Sequence, residues 1–191
     1  MKLFKYNLII ILLFCICCKS KINTQISTSQ NDSLNRTILK YIKKDNKAKV
    51  LFALDPECPL CKSYSKTINE LCDKYENTFD FYAFFPSTIY SENKTNNFLI
   101  KNNITMNVII DTNQVITEFL NATVTPECFL LDTNLNIIYQ GLIDDWVKAL
   151  GRKGQNINNN YLDDAIRKYI YHDSILINKT TAIGCIIERF K

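Results

Sequence analysis

The sequence predicts an α/β layer fold in which helices flank a central sheet. Two observations support this prediction: continuous apolar runs of strand length, and intervening stretches with an apolar residue every three or four positions. The two kinds of segment alternate from strand to helix three times and then close with a hairpin and a final helix. This alternation is typical of α/β proteins.

Each predicted element has its own support. Residues 49–54 (KVLFAL) form a continuous apolar run, as expected of a strand buried on both faces. Residues 59–75 repeat apolar side chains at helical spacing, and residues 79–85 (FDFYAFF) form a second apolar strand. The other predicted elements are a short helix at 34–44 capped by Ser33, helices around 92–102 and 114–120, strands at 106–111, 123–132 and 137–141, and a closing helix at 160–172.

Composition narrows the class of protein. The chain has 191 residues, of which 47% are hydrophobic and 22% charged, and only 4 Gly and 4 Pro, so fibrous and low-complexity classes are excluded. The net charge of +4 is spread over the chain without a basic stripe. We therefore expect no nucleic-acid partner.

The first 21 residues, MKLFKYNLIIILLFCICCKSK, have the organisation of an export signal. Lys2 and Lys5 precede an apolar core at 8–16 that is too short for a comfortable membrane span. The core ends on cysteines, as in a bacterial lipoprotein signal, and we expect Cys18 to be the lipidated residue, with Cys17 as the alternative. An uncleaved anchor helix is the other interpretation.

Both interpretations place the rest of the chain outside the cytoplasm, attached to the membrane. We expect a signal or anchor at 1–18, a polar tether at 19–33 and a single domain at 34–191. Five cysteines follow the signal, so at least one of them stays unpaired within the chain or exchanges its partner.

Two of these cysteines form the motif Cys58-Pro59-Leu60-Cys61, between the predicted strand at 49–54 and the helix that follows. Cys58 would occupy the N-cap, where free backbone amides and the helix dipole stabilise a thiolate. Pro59 suits the first helical position. Cys61 lies one turn further in and is better shielded. We therefore expect Cys58 to be the nucleophile and Cys61 the resolving thiol, although the neighbouring Asp55 and Glu57 oppose a thiolate at Cys58.

A zinc site would need more ligands than the sequence offers. There is no second C-x-x-C pair, and His172 is the only histidine. We expect no metal and no cofactor. A second feature is Thr125-Pro126, directly before the apolar run ECFLLD, because proline opens a strand more readily than it continues one. Such a proline can open a strand, particularly through a cis bond, or it is simply an ordinary start to a strand.

LFALDPECPLCKSY and NVIIDTNQVITEFLNATVTPECFLLDTNLNIIYQGLIDD together resemble the thioredoxin-fold redoxins, over about residues 49–145. The closest group is the exported, membrane-tethered thiol–disulfide oxidoreductases of the TlpA/ResA type, relatives of peroxiredoxin-like domains. The resemblance implies a thioredoxin-like fold with a mixed central sheet and an extra helix–strand unit at 92–110, before the cis-proline strand.

The resemblance also implies roles for particular residues. Cys58 and Cys61 would be the redox pair, Pro126 the cis-proline that packs against it, and Thr125 the residue whose backbone contacts the substrate chain. The implied partners are protein thiols and disulfides and an upstream redox protein. The chain departs from the pattern at Glu57, where an aromatic residue is common, and at Phe52, where a buried acid is common. A peroxidatic cysteine pattern is absent, which makes peroxidase activity the weaker interpretation.

Three cysteines remain outside the motif and the signal. We expect Cys72 and Cys128 to lie in the core. Cys185 follows Gly184, and a turn there would make it a candidate third thiol near the pair, or else a structural cysteine. Two other functions stay open: a copper carrier that uses Cys58, Cys61 and His172, and a non-catalytic binding module in which the motif forms a static disulfide.

Overall fold

The structure is a computed structural model that describes residues 37–86 and 91–189. The chain divides into two compact units, Met1–Ile42 and Lys43–Lys191. The described part of the first unit is a helical turn in which the Ile42 amide donates to the Ile38 carbonyl at 2.9 Å. The predicted signal, the tether and the lipidated Cys18 lie outside the described residues.

The second unit contains four described helices and nine described strands. In chain order they are β1 (Ala48–Ala53), α1 (Pro59–Tyr75), β2 (Phe79–Phe85), α2 (Glu92–Lys101), β3 (Asn107–Ile110), α3 (Val115–Leu120), β4 (Val124–Thr125), β5 (Glu127–Leu131), β6 (Ile137–Gly141), β7 (Val147–Ala149), β8 (Arg152–Lys153), α4 (Tyr161–Ile170) and β9 (Cys185–Ile186). Across the described ranges, no helix is long and apolar enough to cross a membrane.

Five strands build the central sheet, in the order β3-β2-β1-β5-β6. β1, β2 and β3 run parallel, whereas β5 is antiparallel to both β1 and β6. The sheet is therefore mixed, and the predicted α/β fold is confirmed. The helix and strand expected between residues 92 and 110 are both formed, as α2 and β3, and β3 lies at the sheet edge.

Side-chain alternation along the strands builds the core. All six residues of β1 are buried, which explains its uninterrupted apolar sequence. Val50 and Phe52 share one core cluster with Tyr64 and Ile68 of α1 and with Ile166 of α4. The apolar faces of α1 and α4 therefore pack on the same side of the sheet.

The predicted strand at 123–132 is formed as two separate strands. Pro126, which has no amide hydrogen to donate, separates β4 from β5. β5 joins the central sheet, whereas β4 pairs with β9 in a sheet of its own. The pairing of β4 with the C-terminal segment was not predicted, and neither was the β7–β8 hairpin.

One charge is buried in the central strand. Lys49 is completely buried in β1, and its Nζ lies 2.6 Å from both Asp45 Oδ1 and Asp80 Oδ2. Burial alone would lower the pKa of Lys49, but the hydrogen bonds and charges of the two carboxylates raise it above its ordinary value. In return, the hydrogen bond from Lys49 contributes most to lowering the pKa of Asp45 from 3.8 to about 2.

This cluster predicts acid sensitivity. Because the folded-state pKa of Asp45 is depressed, its contribution to stability is present above about pH 4 and is lost as the pH falls toward about 2. We expect Lys49→Met to lower the free energy of unfolding near neutral pH and to reduce its further fall on acidification. Urea unfolding from about pH 6 to about pH 2 measures both effects.

The matched control is Lys66→Met, which removes an exposed lysine paired with Glu70 at 3.7 Å. Exposed pairs of this kind contribute little. If both variants lost stability with the same pH profile as the wild-type chain, the role given to Lys49 would be wrong.

Candidate active site

The candidate site begins where β1 passes into α1. Cys58 is the N-cap of α1 in an extended conformation, and Pro59 opens the helix. The preceding loop is fixed by backbone hydrogen bonds, in which the Leu54 amide donates to the Phe84 carbonyl at 2.9 Å and the Cys58 amide to the Asp55 carbonyl at 3.2 Å. Cys58 therefore lies at the positive end of the helix dipole, as its sequence position predicted.

Cys58 is joined by a disulfide to Cys185, 127 residues further along the chain. Their Cα atoms are 6.1 Å apart, within the usual range for a disulfide. The structure thus brings Cys185 directly to the motif, and Cys61 keeps a free thiol. A static Cys58–Cys61 disulfide, the basis of the binding-module hypothesis, is not what the structure contains.

The loop before β5 forms the opposite wall of the site. The Thr125–Pro126 peptide bond is cis. The Thr125 carbonyl oxygen lies 3.1 Å from Cys58 Sγ. Because Cys58 is in a disulfide and holds no proton, this is a sulfur–oxygen contact and not a hydrogen bond. Thr125 is almost fully buried, and within the described part of the chain its hydroxyl completes no hydrogen bond, although it is near enough to Cys61 to favour the thiolate of that residue. The predicted substrate-contact residues Thr125 and Pro126 are therefore beside Cys58.

Cys61 is completely buried one turn into α1. Burial raises the pKa of its thiol to about 12, because a thiolate would lose its hydration. The Asp55 amide, 3.4 Å from Cys61 Sγ, and the Thr125 side chain act in the opposite direction by favouring the thiolate. Near neutral pH Cys61 is thus a protonated thiol, with an amide and an otherwise unpaired hydroxyl ready to stabilise it when it loses its proton.

The acids beside Cys58 are partly neutralised. The Glu57 carboxylate forms an ion pair with Lys94 of α2. The Asp55 carboxylate accepts a hydrogen bond from the Glu57 amide at 2.7 Å. The charge that the sequence places next to the nucleophile is therefore met by a lysine and a backbone donor. Sequence reasoning missed Lys94, because 36 residues separate it from Cys58.

Position 52 of β1 carries a phenylalanine in place of an acid. Phe52 is completely buried in β1 and stacks on Phe81, with ring centroids 6.5 Å apart. At this position, where a buried carboxylate is common in the redoxins, the chain has only an aromatic ring. Position 52 therefore offers no carboxylate that could accept the proton of Cys61.

The two other cysteines of the described region belong to the core. Burial, followed by the charges of Asp73 and Glu76, raises the pKa of Cys72 to about 11. Cys128 is completely buried, its Sγ lies 3.3 Å from the Gly141 carbonyl oxygen, and burial raises its pKa. Neither forms a disulfide.

His172 is not gathered with the motif. It follows the C-cap of α4 in a left-handed conformation with φ 57°, and its side chain is exposed. Among the described residues no three His, Cys, Asp or Glu side chains are grouped to hold a metal ion. The ligand set of the copper-carrier hypothesis is therefore not assembled in this structure.

Comparison with known proteins identifies the fold. No protein-family model matches the chain, and neither does any curated protein. Solved structures do match. A thioredoxin-like protein in the oxidized form is 15% identical, with 69% of this chain and 83% of that chain covered at a TM-score of 0.53. The fold is thioredoxin-like.

Two further structures align more closely. An uncharacterized conserved protein from Geobacillus kaustophilus is 19% identical, with a TM-score of 0.68 over 77% of this chain and 79% of that chain. A hypothetical protein from Sinorhizobium meliloti is 17% identical, with a TM-score of 0.67 over 77% of this chain and 82% of that chain. In this thioredoxin-like fold, the cysteine site lies between the end of β1 and the start of β5.

The thiol of Cys61 gives a direct prediction. Because its pKa is raised to about 12, we expect no Cys61 thiolate in the oxidised protein below about pH 10. The ultraviolet thiolate absorbance of the wild-type chain minus that of Cys61→Ser isolates this thiol across the titration. The same difference for Cys72→Ser should rise near pH 11. A Cys61 difference that rises at about pH 8 to 9, as for an exposed thiol, would contradict the burial argument.

Proposed function

We propose that the chain is an extracytoplasmic thiol–disulfide oxidoreductase that acts on protein thiols and disulfides. Cys58 is the nucleophile and Cys61 the resolving thiol. One observation carries this proposal: at the N-terminus of α1, Cys58 is in a disulfide beside the Thr125 carbonyl, while Cys61, one turn away, keeps a free thiol. A disulfide sulfur with a free thiol one helical turn away can exchange partners.

The two cysteines differ in the property that decides their roles. Cys58 is at the helix N-terminus, where free amides and the dipole stabilise a thiolate, so it attacks first. Cys61 is buried with a raised pKa, so it stays protonated while it waits. This difference supports an order of events in which Cys61 acts second, on a mixed disulfide held at Cys58.

The reaction balances with two thiols and one disulfide. The Cys58 thiolate attacks one sulfur of a substrate disulfide, and the second substrate sulfur leaves as a thiolate and takes up a proton. Cys61 then loses its proton, attacks Cys58 Sγ and releases the first substrate sulfur as a thiol. The substrate has gained two electrons, and the chain holds a Cys58–Cys61 disulfide. An upstream dithiol protein reduces that disulfide, and the same steps in reverse oxidise a substrate dithiol.

The location outside the cytoplasm rests on the N-terminal sequence. Two lysines and a short apolar core that ends in cysteines are consistent with export and lipid attachment at Cys18. The disulfide between Cys58 and Cys185 is of a kind that persists in oxidising compartments. The lipid on the N-terminal cysteine would then insert into the membrane, and the polar tether would connect it to the domain.

Reduction of insulin disulfides tests the activity. We expect Cys58→Ser to lower the rate by more than about 100-fold, because no other sulfur occupies the attacking position. Cys72→Ser is the control, since it removes a thiol outside the site and should keep the wild-type rate. The double variant Cys61→Ser, Cys185→Ser should accumulate a mixed disulfide with substrate, visible on non-reducing gels. Wild-type activity in Cys58→Ser would disprove the assignment.

Fractionation of bacterial cells tests the anchor. We expect the wild-type chain to incorporate radiolabelled fatty acid and to pellet with membranes, and Cys18→Ala to lose the label. Cys17→Ala is the matched control and should keep it. Loss of label only in Cys17→Ala would assign the lipid to Cys17. A wild-type chain that pellets with membranes but takes up no label would support an uncleaved anchor instead.

A further inference from the structure

The C-terminal segment at residues 178–189, which we call the tail, is docked along the domain. After α4 it follows the edge strand β6, where the Gln140 amide donates to the Asn178 carbonyl at 3.0 Å and the Thr180 amide to the Gln140 carbonyl at 2.9 Å. The Thr180 hydroxyl accepts a hydrogen bond from the Leu142 amide at 2.8 Å. The tail is therefore guided to the site by ordered backbone contacts.

At the site the tail becomes a strand. β9 pairs antiparallel with β4, so that Cys185 is opposite Thr125 and Ile186 is opposite Val124. The Ile187 amide continues the pairing by donating to the Thr123 carbonyl at 3.0 Å. Beyond it, Gln114 Nε2 donates to the Glu188 carbonyl and Arg189 Nη2 to the Ala122 carbonyl, each at 2.6 Å.

Gly184 shows how closely the tail lies on the cis-proline loop. A Cβ at this position would overlap the Thr125 carbonyl and come within 3.2 Å of the Pro126 nitrogen. Only glycine leaves room for the tail backbone there. The Thr125 backbone, which the redoxin resemblance assigns to the substrate chain, is thus already paired with the chain's own tail.

We propose that Cys185 is a third redox-active thiol, and that the tail occupies the substrate position in cis and closes it while the Cys58–Cys185 disulfide lasts. The proposal rests on the proposed oxidoreductase function and names a regulation of that same site. Its basis is three features of the contact between residues 184–186 and Thr125: the disulfide, the strand pairing, and the glycine that permits the close approach.

The tail is released by an exchange that needs no outside oxidant or reductant. Cys61 loses a proton and attacks Cys58 Sγ. The Cys58–Cys185 bond breaks, the Cys58–Cys61 bond forms, and Cys185 leaves as a thiolate that takes up a proton. One disulfide and one thiol are present before and after, so no electrons are gained or lost. The Asp55 amide and the Thr125 hydroxyl, which favour a thiolate at Cys61, assist the attack.

The two disulfide isomers differ in access to the site. With Cys185 bonded, Cys58 is only 2% exposed and the backbone of Thr125 is paired. With Cys61 bonded, only hydrogen bonds hold the tail, and a substrate chain competes with it for β4. A tethered segment without the bond competes only at its effective concentration, in the millimolar range, whereas the disulfide fixes the tail in place, so the tail is displaced more readily once that bond is gone. The isomer with the Cys58–Cys185 disulfide, which we call the closed isomer, therefore protects Cys58 from unselective exchange.

Disulfide mapping tests the isomers. The full chain is purified without reductant, quenched in acid, alkylated and digested. We expect a peptide pair linked through Cys58 and Cys185, with Cys61 alkylated after unfolding. In Cys185→Ser the link should be Cys58–Cys61. In Cys61→Ser the closed isomer should persist, because no thiol is left to open it.

Kinetics test the closure. We measure the rate at which a reduced dithiol protein, thioredoxin, reduces each oxidised chain. Cys185→Ser removes the bond, and Gly184→Ala displaces the tail but keeps every thiol. We expect both to react at least about tenfold faster than the wild-type chain. Leu176→Ala, which truncates an exposed side chain just before the tail, should match the wild-type chain.

The mapping and the kinetics together test whether the tail closes the site. A closed isomer in the wild-type chain together with faster Cys185→Ser and Gly184→Ala supports the proposal. A wild-type chain that holds only Cys58–Cys61, or a Cys185→Ser variant that reacts at the wild-type rate or slower, overturns it. If Gly184→Ala fails to fold, the comparison of Cys185→Ser with Cys185→Ala stands in its place.

The proposed function can fail separately. If neither the wild-type chain nor Cys185→Ser reduces insulin, the oxidoreductase assignment is wrong, whatever the mapping shows. If both reduce insulin at equal rates and no Cys58–Cys185 link is found, the enzyme stands and only the role of the tail is lost.

Discussion

The register of β1 against β5 is the constraint on which the site depends. Ala53 pairs with Glu127, so the loop that leaves β1 and the loop that enters β5 emerge at the same end of the sheet. That register puts the Cys58 sulfur against the Thr125 carbonyl. A slip of one residue would turn Cys128 out of its core face and separate the two loops, and the continuous burial of both strands opposes such a slip.

Position along α1 then gives the two cysteines of the motif different chemistry. The same helix that presents Cys58 at its N-terminus carries Cys61 into the core, on the face that also includes Tyr64 and Ile68. The helix N-terminus favours a thiolate at Cys58, whereas burial in the core raises the pKa of the Cys61 thiol and keeps it protonated near neutral pH. In the proposed reaction, the order of the two steps therefore follows from the positions of Cys58 and Cys61 along α1, without an acid at position 52 of β1.

The sequence predicted most reliably the elements whose pattern is long and self-consistent. α1 and β2 begin and end as predicted, because seventeen residues of helical periodicity or seven consecutive strand residues leave little choice. β9 escaped prediction because a strand of two residues has no pattern of its own. Its existence depends on β4, which is itself set off by a proline whose consequence for pairing appears only in three dimensions. The same distinction applies to the candidate site, where the local motif was visible in the sequence and the long-range contact was not.

The candidate site depends both on the local spacing of two cysteines and on the course of the chain far beyond them. The spacing of Cys58 and Cys61 indicated a redox couple, whereas the partner of Cys58 depends on the path of the chain over 127 residues. With Cys72 and Cys128 in the core, three thiols of the described region are left for one site. Three thiols form one disulfide at a time, so one sulfur is always free to attack it. Cys58 belongs to both disulfide isomers, and its choice of partner decides whether β4 is covered by the tail or open to another chain. An even number of cysteines could pair permanently. An odd number, with Cys58 at the helix N-terminus shared between two possible disulfides, keeps thiol–disulfide exchange available.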